Sequence, residues 1–361
     1  MEIKRLKQDK MTATERFDAL LRGKPIDRVP FLPFDMTCGS AGFCALNVGY
    51  PLSSIYDEPE KSFWAQVWTK EQYRLNSNPI FGYGSYGGWE FGGEIKFPTD
   101  RGQAPSIIRH PVESEDDIDK LVLPDVKTAG MLPMAMQFAR MQEQHGLPII
   151  LSSASPFTCT GNIANLGKLT RWTIKKPQLV HQLLRLATDH IVQVAQYWVR
   201  IFGPERIIYR DILPTEANLI LSPKQFEEYA FPYLKETHEK VLAMGIKHCS
   251  SHICGEHKLN LPLLAQIPMG DPGIVSFGHE LNISTAIKYF GDNCLIAGNI
   301  EPLAIYTETP MQIYELAKQC IEEGKDAPRG YILAPGCDIP PMVPPYSIYV
   351  ITKAVDDFGW Y

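Results

Sequence analysis

Short apolar runs and longer amphipathic ones take turns along most of this chain, and few folds accommodate that rhythm. The runs are Val29–Phe34, Pro148–Leu151, Arg206–Arg210, Ile246–His252, Gly273–Phe277, Cys294–Ala297 and Tyr331–Leu333, each of a length and composition suited to a strand. Between them, apolar positions recur at helical spacing over Pro177–Ile201, Pro223–Met244, Ile283–Phe290, Met311–Glu323 and Pro345–Phe358. Strands separated by helices run in one direction and build a parallel sheet. With this many repeats in 361 residues, the economical architecture is α/β, a single (β/α)8 TIM barrel over residues 1–361 with its active site at the carboxyl ends of the strands. A chain that is 45% hydrophobic and 11% aromatic can bury the core such a barrel requires.

One region, residues 51–124, breaks the rhythm and reads as an insertion that follows an N-terminal extension and the first strand. Within it, Phe81–Glu94 is too glycine-rich for a helix and too aromatic for a linker. Two readings are open for it. It is a packed surface hairpin, or it is a lid over the barrel mouth in which Tyr83, Tyr86 and Trp89 stack on a flat substrate and Glu94 supplies a carboxylate.

The chemistry-bearing residues sit at strand ends. Ser250-Ser251-His252-Ile253-Cys254-Gly255 closes one apolar run, and Leu333-Ala334-Pro335-Gly336-Cys337 closes another, each before turn residues and a helical pattern. Alternate side chains of a strand share a face, so His252 and Cys254 point the same way and Cys337 arrives from a second strand. Histidine with two cysteines is a zinc-type ligand set, and three protein ligands leave the open position that distinguishes a catalytic metal from a structural one. Buried free cysteine is common, and the chain has eight. Cys44, Cys159, Cys249, Cys294 and Cys320 lie in apolar or helical surroundings and read as core. Cys254 and Cys337 instead abut glycine at a turn, and Cys38, which also abuts one, has no second ligand beside it.

Charge and hydropathy remove other classes. A net charge of −6 without a basic stripe argues against nucleic-acid binding. No run approaches the ~18 apolar residues of a membrane span, and the polar start Met1–Lys7 has no hydrophobic stretch behind it, so a cytoplasmic protein is expected. Thiols there stay reduced and available as ligands.

Several segments together resemble one family. Leu221–Lys235, with Ser222-Pro223 and Phe231-Pro232-Tyr233, is similar to the uroporphyrinogen decarboxylase superfamily, as are Thr14–Phe17, Asp27–Pro30 and Ala297–Pro302. The histidine-x-cysteine pair with a distant glycine-cysteine resembles the zinc- and cobalamin-dependent methyltransferase branch, and that resemblance implies His252, Cys254 and Cys337 as zinc ligands. The decarboxylases carry an arginine-rich N-terminal segment, whereas Phe34–Gly42 has no arginine, which speaks against tetrapyrrole decarboxylation.

Two reactions follow from the branch. In one, zinc acts on a methoxylated aromatic so that cob(I)alamin takes the methyl group, an O-demethylation. In the other, zinc activates a thiol such as coenzyme M that takes the methyl from methylcobalamin. Ser276–Glu280, the aromatic glycine-rich loop and Ala327–Gly330 resemble the first methyltransferase of O-demethylase systems, so the ether reaction is the expectation and the thiol reaction the alternative; a zinc barrel that only binds a ligand is the non-catalytic one. No Asp-x-His-x-x-Gly pattern occurs, so the cobalamin must come on a partner corrinoid protein. A homodimer is left open. Around the metal, Glu216 is expected to complete the shell or protonate the leaving oxygen, Asp211 to face the mouth, His279 to donate to the leaving group and Asn299 to hold the corrinoid. His248 and His257 read as incidental.

Overall fold

The computed structural model describes residues 8–34, 39–75, 78–99 and 104–361; Cys38 lies outside them. Eight strands are formed among these: β1 (Glu94–Lys96), β2 (Ser106–Arg109), β3 (Ile149–Ser152), β4 (Ile207–Ile212), β5 (His248–Ile253), β6 (Gly273–Phe277), β7 (Cys294–Ile300) and β8 (Tyr331–Pro335). The hairpin β1–β2 stands apart, and β3 to β8 form a parallel sheet in sequence order. Helices alternate with these six strands, among them Pro177–Phe202, Ile283–Phe290, Pro310–Gly324 and Pro345–Phe358. The fold is the expected α/β barrel.

Its first strand differs from the expectation. Val29–Phe34 joins β8 through a single parallel bridge, Phe31 to Leu333, flanked by bonds from Leu32 N to Leu333 O and from Leu333 N to Pro30 O, both 2.9 Å. Pro30, whose N would face β8 as Leu32 N does, has no N–H to donate, so the ladder cannot extend back from the bridge. The helix expected over Pro223–Met244 is likewise interrupted, by one π turn at Phe226–Ala230. Pro232 lacks the N–H that would bond the Glu228 carbonyl in an unbroken α-helix.

Side chains on the parallel strands sort into two cores. Leu32, Ile208, Ile274, Leu295, Ala297, Ile332 and Ala334 pack together inside the barrel, with Ile150 against them. Their odd-numbered neighbours on β3 to β6, such as Leu151, Tyr209, Cys249 and Val275, belong to the larger cluster between sheet and helices. Phe17 and Leu20 of the N-terminal helix Ala13–Leu21 complete the inner core. That helix starts on a capping box between Thr12 and Glu15.

The aromatic loop packs into the core, and part of it also lines the cavity described below. Tyr83, Tyr86 and Phe91 are buried in the main cluster. Gly87 has φ +92, and a Cβ there would collide with Cys159 Sγ. Glu90 is carried inside with them, accepting hydrogen bonds from Gly87 N at 2.6 Å and Met131 N at 3.4 Å. Burial pushes its carboxyl up to about 7 from 4.5.

That shift links stability to pH. The unfolded carboxyl ionises near 4.5 and the folded one near 7, so between these values the folded state holds the extra proton and stability falls as pH rises. The full difference is worth about 3 kcal/mol. Glu90→Gln should remove this loss, so that its urea midpoint gains on wild type steadily from pH 4.5 to 8. Parallel pH profiles for the two proteins would refute the assignment.

Candidate metal centre

β5 presents its even-numbered residues to the barrel interior, which puts His252 there, with Cys254 just beyond the strand end. Cys337 lies two residues past β8. The three donor atoms lie within 4.8 Å of one another, and no other group of three such residues converges in this way among the described residues. His252 is held from behind: its Nδ1 is 2.8 Å from Ser276 Oγ, on the neighbouring strand. Its Nε2 is buried and has no hydrogen-bond partner. A buried imidazole nitrogen without a partner costs free energy, and a bound metal relieves that cost. With Nδ1 donating to the serine, the lone pair of Nε2 is free for an ion.

The thiols are predisposed in the same way. Cys337 is held below the ordinary thiol range, chiefly by a hydrogen bond from the Cys254 thiol and then by His252, while Cys254 is pushed up by that shared proton and by burial. One nitrogen and two sulfurs, one of them already favoured as thiolate, fit a zinc ion with a coordination position to spare. His257 braces the site, its Nε2 3.2 Å from the Cys254 carbonyl, and burial holds its imidazole down at about 4.

The donors open onto a cavity of about 240 Å³. Tyr56, Tyr83, Tyr86 and Met131 supply much of its wall, and Arg210 and Asp338 are its charged residues among the described ones. Asp338 Oδ1 accepts from Ser40 N at 3.0 Å, which ties the segment after the first strand to the residue beside Cys337. A Cβ at Gly39 would overlap that carboxylate, so the clamp requires glycine.

Of the other residues singled out by sequence, Tyr83 lines the cavity and donates its hydroxyl proton to the Tyr56 carbonyl. Trp89 stacks on Tyr83, with ring centroids 6.5 Å apart, and does not line the cavity. Glu94 is on the exposed hairpin, paired with Arg109 at 2.9 Å, and is no candidate for substrate contact. Asp211 does not face the mouth. Its side chain points outward, accepting from Ser251 Oγ at 2.6 Å and bonding His238 Nε2 at 2.8 Å, because it alternates with the inward Arg210. His279 is on the rim with its side chain 44% exposed between Glu280 and Glu301. Asn299 spends its amide on the carbonyls of Gly278 and Leu281, at 3.1 and 2.6 Å, which makes it a brace for the loop after β6 and leaves no donor for a corrinoid.

Glu216 is fully buried in the loop after β4. It accepts from Ser155 Oγ, from Thr158 Oγ1 at 3.0 Å and from Thr215 Oγ1 at 3.3 Å. Burial first of all pushes it up to about 7. It does not line the cavity, although its charge is felt at Cys254. Ala327–Gly330 immediately precedes β8 and so lies at the opposite end of the barrel from Cys337. Sequence reasoning missed Arg210 as a cavity residue, and the two-residue spacing of Arg210, Ile212 and Pro214 on one face was the signal for it.

Comparison with known proteins adds an independent line. The model of the family described as Uroporphyrinogen decarboxylase (URO-D) matches residues 12–358. The methylcobamide:CoM methyltransferase MtaA of Methanosarcina barkeri is 27% identical over 357 residues, 96% of this chain and 98% of its own. The methylcobamide:CoM methyltransferase MtbA of Methanosarcina acetivorans is 25% identical over 365 residues, 97% of this chain and 99% of its own. A solved methyltransferase from Methanosarcina mazei is similar in fold, with a TM-score of 0.80 at 23% identity over 97% of this chain and 99% of that one.

The donor geometry makes a direct prediction. The wild-type protein should bind about one zinc per chain, and Cys254→Ala and Cys337→Ala should each lose it while keeping the far-ultraviolet circular dichroism of the barrel. Zinc retained in both variants would exclude these ligands, and collapse of the fold in both would mark the metal as structural.

Proposed function

Because the chain belongs to the uroporphyrinogen decarboxylase (URO-D) family, we propose that it is a zinc-dependent methyltransferase of that family which moves a methyl group from the cobalt of a methylated corrinoid, carried by a separate protein, to a small thiol. The observation that carries this reading is the unpartnered Nε2 of His252 converging with two thiols on one cavity. Decarboxylation of a tetrapyrrole gives such a donor set no role.

The choice of a thiol over an aryl methyl ether rests on two supports. MtaA and MtbA, similar along nearly their whole lengths, are methylcobamide:CoM methyltransferases. Of the three segments that favoured the ether, Ala327–Gly330 lies away from the cavity, at the opposite end of β8 from Cys337. The cavity, at about 240 Å³, has no room for a corrin macrocycle, so in either reaction the cobalt approaches over the mouth on a partner.

Zinc, when bound by His252, Cys254 and Cys337, supplies a positive charge that lowers the pKa of a substrate thiol and keeps it as thiolate at neutral pH. The chain's own residues prepare that event. Ser276 fixes the ring of His252, which keeps Nε2 aimed at the donors. Glu216 remains largely protonated up to about pH 7 and adds little negative charge beside two sulfurs that must ionise. Tyr56, Tyr83 and Met131 keep the cavity largely apolar, which weakens hydration of the nucleophile. In the transfer itself, the thiolate lone pair forms the S–C bond, the Co–C electron pair stays on cobalt, which goes from Co(III) to Co(I), and the thiol proton is released to solvent.

The zinc-loaded protein with free methylcobalamin and a short thiol should consume methylcobalamin and yield one thioether per cob(I)alamin formed. Chelation of the metal should stop it, and His252→Ala should lower the rate by at least a hundredfold. If instead aryl methyl ethers methylate cob(I)alamin and thiols do nothing, the ether reaction is correct and this proposal fails.

A further inference from the structure

A second cavity, of about 230 Å³, lies between the N-terminal segment, the end of helix Pro59–Gln72 and one face of helix Pro345–Phe358. It shares no lining residue with the cavity at the metal donors. Tyr349, Lys353 and Asp356 reach it together because they recur at spacings of four and three along their helix. Two of its charges are already neutralised. Arg28 is gripped by Asp9, Nε to Oδ1 at 2.7 Å and Nη2 to Oδ2 at 3.0 Å, and Lys353 bonds Asp357.

Two charges are not. Arg74 follows the end of helix Pro59–Gln72 in the left-handed conformation, φ +55, where Arg74 N donates to Glu71 O and Leu75 N to Lys70 O to close the last turn. Helices favour glycine at such a position because a Cβ is costly there, so an arginine calls for a reason in its side chain. That side chain lines the cavity and makes no hydrogen bond or ion pair among the described residues. Asp356 lines the same cavity, and its carboxylate accepts no hydrogen bond among them either. Burial raises its pKa against the pull of Arg28, a cation committed to Asp9. What remains uncommitted is one guanidinium and one carboxylate, in a cavity walled in part by Tyr73 and Tyr349. Tyr73 is held there by its hydroxyl, which donates to Pro345 O at 3.3 Å.

We infer that this cavity binds a small amino acid, its carboxylate at the Arg74 guanidinium and its ammonium at the Asp356 carboxylate, with the rings of Tyr73 and Tyr349 against its carbon chain. A planar guanidinium matches a carboxylate, and an anion beside tyrosine rings suits an ammonium. A ligand with one charge would leave the other group unpaired: a simple anion would do nothing for Asp356, and a simple amine nothing for Arg74. The bound zwitterion would join the end of helix Pro59–Gln72 to helix Pro345–Phe358. This site is independent of the proposed methyl transfer and goes beyond it.

Isothermal titration of the full chain with L-alanine, β-alanine and γ-aminobutyrate, which differ in the separation of their two charges, tests this directly. At least one of them should bind saturably, at least tenfold more tightly than propionate or propylamine, and should raise the melting temperature. Asp356→Asn keeps the shape of the side chain and removes its charge, and should weaken that amino acid at least tenfold without weakening propionate. Arg74→Asn, a residue that accepts the left-handed conformation, should weaken the amino acid and propionate alike. Zinc content should be the same in both variants as in the wild type, since neither residue is near the donors' cavity wall. No saturable binding by any of the three, propionate binding as tightly as the best of them, or an affinity that survives either substitution would overturn the assignment. If a variant does not fold, the wild-type ranking against propionate and propylamine decides.

Discussion

The register that joins β4, β5 and β6 sets the geometry on which the site is built. Ile212, His252 and Ser276 stand side by side in one layer of the barrel, and Ser152, Arg210 and Ser250 in the layer below. Parallel pairing keeps such layers level, and a slip of one residue would turn every member to the opposite face. His252 would then point at the helices and lose both the hydroxyl that orients it and the cysteines that converge with it. The energy that holds the register is apolar: Ile208 and Ile274 inside, Tyr209 and Val275 outside, all buried.

Buried charge is handled differently on the two sides of the sheet. Outside, Asp211 is compensated twice, by Ser251 and by His238, whose ring is fully buried and is raised well above its ordinary value, with burial opposing and the Asp211 charge driving the rise. That pair ties β4 to helix Phe231–Ala243. Inside, compensation is incomplete at His252, whose Nε2 has no partner. An uncompensated polar atom inside a barrel otherwise packed with aliphatic side chains marks the place where the fold gives up stability for function.

Much of this was legible in the sequence, for reasons that also explain where legibility ended. His252, Cys254 and Cys337 announce themselves because period-two spacing at a strand end fixes which residues share a face, and because glycine beside each cysteine signals a turn. Asp211 misled because both faces of a strand in a parallel barrel are buried, so apolar patterning does not tell inside from outside, and only the pairing with β5 shows that Arg210 is the inward residue. The loop Phe81–Glu94 stayed open between two readings because tyrosine and tryptophan have the same composition in a lid and in a core, and Tyr83 and Tyr86 are both buried in the core and part of the cavity wall. It is Gly87, pressed against Cys159, that packs the loop into the core. The first strand read from Val29–Phe34 is reduced to a single bridge, since Pro30 reads as apolar and yet cannot donate to β8.

A last constraint concerns how ligands from β5 and β8 meet, since β6 and β7 lie between them. The loops that follow those two strands would have to stand clear or be drawn tight. Asn299, at the end of β7, draws the first of them in by binding the carbonyls of Gly278 and Leu281. Gly336 N then donates to Ile300 O at 2.8 Å, laying the exit of β8 across the end of β7. At Gly336 an added Cβ would come within 2.8 Å of His279 N, so the chain passes this loop at a distance open only to glycine. Cys337 follows directly and is thereby delivered to Cys254. The convergence of His252, Cys254 and Cys337 thus depends on two residues outside that trio, an amide that holds a loop in place and a glycine that lets the backbone pass it.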